Sequence, residues 1–186
     1  DYSRSGNPTR DLLNDAIATL EGGIGATVTA TGLAGVTLLA EAFVPVGGRV
    51  VVQHDAYGGT WRLFTYLAQQ GRFEVDFVDF NDDAALAAAL DRAPAMVWVE
   101  TPSNPLLRIT DIRAVADAGH AVGALVVVDN TFLSPLLQRP LAHGADFVLH
   151  STTKFINGHS DVVGGAVVAA TEAHHEKVRA WGNALG

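Results

Sequence analysis

Cysteine is absent from the 186 residues, methionine occurs once, at Met96, and lysine only twice, at Lys154 and Lys177. A chain without cysteine has no disulfides, no thiolate metal ligands and no cysteine nucleophile. That absence suits a cytoplasmic chain better than a stapled secreted one. Charge is also scarce: 17% of residues are charged, and 20 acidic against 12 basic side chains give a net charge of −8 and a pI of about 5.2. No basic run is present to displace the counterions of a nucleic-acid backbone, which disfavours nucleic acid as a partner. No apolar run reaches the roughly 18 residues of a membrane span, and nothing resembles a signal peptide. A GxxxxGK[ST] phosphate loop is missing. Gly23-Ile24-Gly25 lacks the third glycine of a dinucleotide fingerprint and precedes a strand rather than following one. The histidines at 54, 120, 143, 150, 159, 174 and 175 show no metal-ligand spacing, so no metal is expected; His174-His175 reads as a solvated helix face. With Asp1 first and a helix-like stretch running up to Gly186, the chain reads as a fragment cut at both ends.

What is present is apolar and periodic. Hydrophobic residues make up 48% of the chain, so much of it belongs in an interior or an interface. Short β-branched runs predict strands at 26–30, 49–53, 73–77, 96–99, 124–128, 146–150 and 165–169. Val50-Val51-Val52 and Val126-Val127-Val128 are continuously apolar, as strands covered on both faces are. Helical periodicity predicts helices at 10–20, 32–43, 83–90 and 111–122. The first carries Leu12, Leu13, Ala16, Ile17 and Leu20 as one apolar stripe and ends at Gly22-Gly23. Strand–helix alternation throughout predicts an α/β fold with a mostly parallel, doubly wound sheet.

In such sheets ligands bind beyond the carboxyl ends of the strands. Residues following the predicted strands are His54, Asp55 and Tyr57; Glu100, Ser103 and Asn104; Asp129, Asn130 and Thr131; and Ser151, Thr152, Thr153 and Lys154. Lys154 has hydroxyls before it and apolar residues after it. A lysine at a strand end in an apolar pocket suits a Schiff-base nucleophile with a depressed pKa, and a structural ion pair fits the same context. Asp129 reads either as a turn or cap residue or as a carboxylate paired with a cation such as a protonated pyridine nitrogen. Thr31-Gly32-Leu33 opens a helix whose N–H groups could receive an anion, with Ser151 and Thr153 adding hydroxyls. Tyr57, on a glycine-rich loop, could stack on a planar cofactor or simply pack.

Five stretches carry a resemblance: Asp1–Arg10, Tyr57-Gly58-Gly59-Thr60, Glu100-Thr101-Pro102-Ser103-Asn104-Pro105, Val128–Phe132 and Ser151–Lys154. In order and spacing they resemble the Cys/Met-metabolism family of pyridoxal-phosphate enzymes, whose chains are about twice this length. The resemblance implies the aspartate-aminotransferase-like fold (fold type I), with residues 1–10 as an arm reaching a neighbouring subunit and 11–186 as the cofactor-binding large domain. It implies pyridoxal 5'-phosphate joined to Lys154, which also moves protons; Asp129 on the pyridine nitrogen; Tyr57 stacked on the ring; Asn104 on the phenolic oxygen; and Gly32, Leu33, Ser151 and Thr153 on the phosphate. Leu33 stands where the family usually has methionine, but the contact there is a backbone N–H. Tyr2 and Arg4 would reach the phosphate of a neighbouring subunit in a homodimer or homotetramer, unless they form a frayed terminus. Asp1 would meet the substrate amine, and Arg62 either a distal substrate carboxylate or only solvent.

The nearest pattern is the family's cystathionine γ-synthase branch, which implies O-succinylhomoserine and cysteine as substrates. The γ-lyase branch is the alternative, as is an inactive fragment. Gly59 disfavours the methionine γ-lyases, which carry cysteine there.

Overall fold

The computed structural model describes residues 2–185. Chain contacts divide it into two compact units. One comprises Asp1–Ala42, Asn130–Ala142 and Asp146–Gly186; the other comprises Phe43–Asp129 and His143–Ala145.

In the first unit, helix α1 spans Pro8–Glu21 and strand β1 spans Gly25–Thr29. Asn7 caps α1 by accepting the N–H groups of Thr9 and Arg10, and Pro8 occupies the first turn, where an N–H would have no partner. Gly22 ends the helix in the left-handed conformation at φ 74°, which glycine adopts without a Cβ penalty. Only part of the expected apolar stripe turns inward. Ile17 and Ala18 pack on Ala26, Val148, Ala166 and Val168, whereas Leu12, Leu13 and Leu20 are 71%, 46% and 52% exposed. The buried face of α1 is therefore narrower than its apolar face.

Helix α2 runs over Gly32–Phe43. In the second unit, β2 (Arg49–Gln53), α3 (Gly58–Gln69), β3 (Glu74–Val78), α4 (Asp83–Leu90), β4 (Met96–Glu100), α5 (Ile112–Ala121) and β5 (Leu125–Asp129) alternate, α3 being a helix that the periodicity did not predict. Strand β2 pairs in parallel with both β3 and β4, and β4 pairs in parallel with β5. Val50–Val52, Met96–Val99 and Val126–Val128 are fully buried, as parallel strands covered on both faces require. Phe64 of α3 stands edge-on to Trp98 of β4 at 5.4 Å and to Phe73 at 5.8 Å, locking that helix to the sheet.

Back in the first unit follow the short helix α6 (Ser134–Leu137), strands β6 (Phe147–His150) and β7 (Gly165–Ala169), and helix α7 (Glu172–Leu185). Here the sheet departs from the parallel expectation: β7 pairs antiparallel with both β6 and β1. The physical cause lies in the connection. Residues 151–164 contain no helix to carry the chain across the sheet, and a parallel return needs such a crossover. Gly165 also keeps the β1–β7 end closed, since a Cβ there would fall 2.3 Å from the Thr31 carbonyl oxygen. His174 and His175 are half-buried rather than solvated. The His174 ring lies 4.9 Å from that of Phe147, and the His175 ring fills the space above Gly25.

No helix among the described residues is long and apolar enough to cross a membrane.

Candidate active site

In the second unit the residues that end three parallel strands are polar. Gln53 closes β2, Glu100 closes β4 and Asp129 closes β5, all buried. Glu100 and Asp129 are register partners on adjacent parallel strands, so their side chains leave the same face at about one strand spacing, ~4.8 Å. Burial pushes the Glu100 carboxyl from its ordinary value near 4.5 up to about 8, and the charge of Asp129 raises it further than that of Asp55; N–H groups of Tyr57 and Asn104 act against the rise. Around this pair Gln53 Nε2 donates to Asp55 Oδ1 at 2.9 Å, Ser103 Oγ donates to Asp55 Oδ2 at 2.6 Å, and Arg108 makes a two-pronged bond to Asp79 at 2.8 and 2.9 Å. That guanidinium holds the Asp79 carboxyl below its usual range.

Tyr57 precedes α3, and its ring is partly exposed. It lies over the first turn of its own helix: a Cβ on Gly59 would stand 2.4 Å from the ring, so a bare residue 59 permits this placement. Arg62 is exposed on α3 and makes no ion pair among the described residues. Its guanidinium reaches back over Gly58.

The first unit supplies a different chemistry. Thr31 Oγ1 accepts the Ala34 N–H at 2.9 Å and starts α2, leaving the N–H groups of Gly32 and Leu33 without an intrahelical acceptor. Ser151 lies directly against this turn. A Cβ on Gly32 would sit 2.8 Å from Ser151 Cβ, so glycine keeps a cradle open between the helix start and the serine hydroxyl. Ser151 N–H donates to Thr131 Oγ1 at 2.9 Å. The Thr153 hydroxyl, expected to face the same cradle, instead exchanges bonds with Gly164, donating to its carbonyl at 3.1 Å and accepting its N–H at 3.0 Å. Lys154 is exposed rather than enclosed by apolar residues, and among the described residues its Nζ has no bonding partner. Arg4 bonds to the carbonyl and side-chain oxygens of Asn183 in α7 and stacks on the Tyr2 ring at 5.3 Å. Asp1 lies outside the described residues.

Beneath the residue that precedes Ser151 is a group that sequence reasoning did not find. Glu21 Oε1 accepts from Asn130 Nδ2 at 2.8 Å and lies 2.5 Å from His150 Nε2, all three side chains being buried. The available signal was an acid at the end of an apolar helix, just before Gly22-Gly23. No group of three His, Cys, Asp or Glu among the described residues could hold a metal ion.

Each unit, taken by itself, offers a chemistry that one part of pyridoxal phosphate can use. A phosphate suits helix N–H groups beside a serine hydroxyl. A protonated ring nitrogen suits a strand end where buried carboxylates repel one another.

The Glu100 proton gives a measurable consequence for the protein without cofactor. Between pH 4.5 and 8 the folded chain keeps a proton that the unfolded chain has lost, so stability falls as pH rises, by at most about 1.4 kcal/mol per unit, and levels off above that window. Urea unfolding from pH 5 to 9 should show this decline flattened in Glu100→Gln. Parallel profiles for the two proteins would contradict it.

The model of the family described as Cys/Met metabolism PLP-dependent enzyme matches residues 1–186. Cystathionine γ-synthase of Escherichia coli is 53% identical over the whole chain, and cystathionine γ-lyase of Dictyostelium discoideum 45%. A crystal structure of cystathionine γ-synthase from Xanthomonas oryzae pv. oryzae, in complex with aminoacrylate and cysteine, superposes with a TM-score of 0.98 at 59% identity and covers the whole chain. The chain spans 48% of the length of each of these relatives. Matched by the family model from its first residue to its last, the chain belongs to the Cys/Met metabolism PLP-dependent enzymes.

Proposed function

We propose that the protein is a cystathionine γ-synthase. It would replace the γ-acyloxy group of O-succinylhomoserine with the thiol of cysteine, yielding cystathionine and succinate. The observation that carries this reading is the high identity to two γ-synthases, 53% and 59% over the same residues; γ-synthases of Herpetosiphon and Mycobacterium, at 44% and 45%, fall within the 42% to 46% of the γ-lyases. Gly59, whose lack of a side chain accommodates the Tyr57 ring, supports it against the methionine γ-lyases.

When bound, pyridoxal phosphate supplies the electron sink for carbanion chemistry at the substrate. The chain's own residues do the rest. Lys154 Nζ, exposed and unbonded, takes the proton from substrate Cα and serves as acid and base at the neighbouring carbons. Asp129, beside a Glu100 carboxyl that burial pushes up to about 8, keeps the ring nitrogen protonated. Tyr57 stacks on the ring, and Asn104 donates to the phenolic oxygen. Gly32, Leu33 and Ser151 receive the phosphate, as does Thr153 once its hydroxyl turns from Gly164. Arg62 takes the distal succinyl carboxylate, with Asp1 at the substrate amine. Residues 1–10 form the arm and 11–186 the cofactor-binding domain. Tyr2 and Arg4 serve a neighbouring subunit's phosphate in a cytoplasmic homodimer or homotetramer, which requires Arg4 to leave Asn183.

Product analysis of the full-length protein tests the reaction. O-succinylhomoserine with cysteine should give cystathionine and succinate in equal amounts. Cleavage of cystathionine alone, with no synthesis from the ester, would overturn the assignment in favour of the γ-lyase reaction.

A further inference from the structure

Glu100 is a buried carboxyl in the second unit that the proposed chemistry leaves without a role of its own. Its Oε2 accepts the backbone N–H of Tyr57 at 2.7 Å, and the backbone N–H of Asn104 donates to the same carboxyl. These donors come from two different loops, one after β2 and one after β4. Tyr57 has no side-chain cap of its own at the start of α3, so the Glu100 carboxyl holds the entry to that helix. Asn104 lies within a tight loop closed by Leu107 N–H donating to the Ser103 carbonyl at 2.8 Å. The Glu100 backbone is itself held in place: its N–H donates to Gln53 Oε1 at 3.1 Å, and Gln53 in turn donates to Asp55. One rigid strand end therefore anchors both loops.

We propose that Glu100 is a positioning residue for the cofactor, tying the Tyr57 ring and the Asn104 amide to a common point at the end of β4. This rests on the roles given above to Tyr57 and Asn104. A glutamate that served only to satisfy loop N–H groups would be a stability element. A positioning residue sets where the ring and the amide stand, and so acts on the cofactor through them. Removing it frees two loops to move independently, although neither Tyr57 nor Asn104 is altered.

The test uses the full-length protein, with pyridoxal phosphate titrated into the cofactor-free form. It compares Glu100→Ala, Tyr57→Ala, Asn104→Ala, the Tyr57→Ala/Asn104→Ala double variant and the triple variant, reading cofactor Kd, the circular dichroism of the bound cofactor and the unfolding midpoint of the apo-protein. Glu100→Ala should weaken cofactor binding about two- to tenfold, the size of one well-placed hydrogen bond to a neutral carboxyl, and diminish the cofactor's dichroism. In the triple variant the loss of Glu100 should add nothing to the loss of Tyr57 and Asn104 together. Glu100→Gln, which keeps one carbonyl oxygen for these donors, should restore most of the dichroic signal. It also carries the test if Glu100→Ala does not fold.

A lowered midpoint with unchanged Kd and dichroism in both Glu100 variants would overturn the proposal, as would additive losses in the triple variant. If Tyr57→Ala and Asn104→Ala themselves leave Kd and dichroism unchanged, the cofactor roles beneath the proposal fail instead.

Discussion

Lys154→Ala should lose turnover by about 10³-fold or more while keeping its fold. The size of the loss follows from the role proposed for the side chain: proton transfer by a positioned group contributes roughly 10²- to 10⁴-fold, and in the proposed chemistry the same amine also joins the cofactor. The preserved fold follows from what it does not do. Lys154 is exposed and its Nζ has no partner among the described residues, so truncation opens no cavity and strands no buried charge. Its loop is held by the main chain instead: Lys154 N–H donates to the Ser151 carbonyl at 3.1 Å, Asn157 N–H to that of Thr152 at 3.0 Å, and Gly158 N–H to that of Lys154 at 2.8 Å. Surface substitutions of this kind change stability by about 0.5 kcal/mol or less. Borohydride reduction of the loaded parent, followed by peptide mapping, checks the assignment directly. The cofactor should be fixed to Lys154, and its attachment at Lys177 would remove the basis of the proposed chemistry.

How far the site could be read from sequence differed between its residues for physical reasons. Strands β2 and β7 have their expected bounds because an unbroken apolar run flanked by charge or glycine marks a doubly covered strand. Glu100 and Asp129 were expected just beyond their strands and prove to be the last ladder residues. As ladder residues they are register partners, and burial first, then the charge of Asp129, raises the Glu100 pKa. Strand direction was not legible for β7, since antiparallel return depends on a 14-residue loop lacking a helix, and composition alone does not distinguish such a loop from a crossover. The α1 stripe misled in another way: hydrophobic periodicity reports which face is apolar, not whether this chain covers it, and Leu12, Leu13 and Leu20 remain exposed. Glycines 32 and 59 carried meaning only once their neighbours were placed. Each leaves space that a Cβ would take, beside Ser151 in one case and under Tyr57 in the other. Long-range polar contacts were the least legible, because the partners in Glu21–His150 lie 129 positions apart.

That pair should dominate stability. In Glu21→Ala the protein should lose about 2 to 5 kcal/mol, because His150 Nε2 and Asn130 Nδ2 lose an acceptor shared at Glu21 Oε1 and remain buried, where each unsatisfied group costs roughly 1 to 3 kcal/mol. Asn130 keeps its bonds with Gln138, donating to that residue's carbonyl at 2.8 Å and accepting from its Nε2 at 2.9 Å. His150 has no such reserve, since its Nδ1 already lacks a partner. The greater part of the loss should therefore come through His150. Its position on β6 is central: Leu149 receives the Asn130 N–H at 2.9 Å on one side, and His150 pairs with Ala166 of β7 on the other. Removing both polar partners leaves less unsatisfied than removing one. Glu21→Ala combined with His150→Leu should then be more stable than the sum of the single losses, by at least about 1 kcal/mol. Urea unfolding of the apo-protein measures all three variants. Strict additivity would show that Glu21 and His150 contribute through packing alone, whereas the expected coupling identifies their hydrogen bond as the element that holds the end of β6, and with it Ser151, in place.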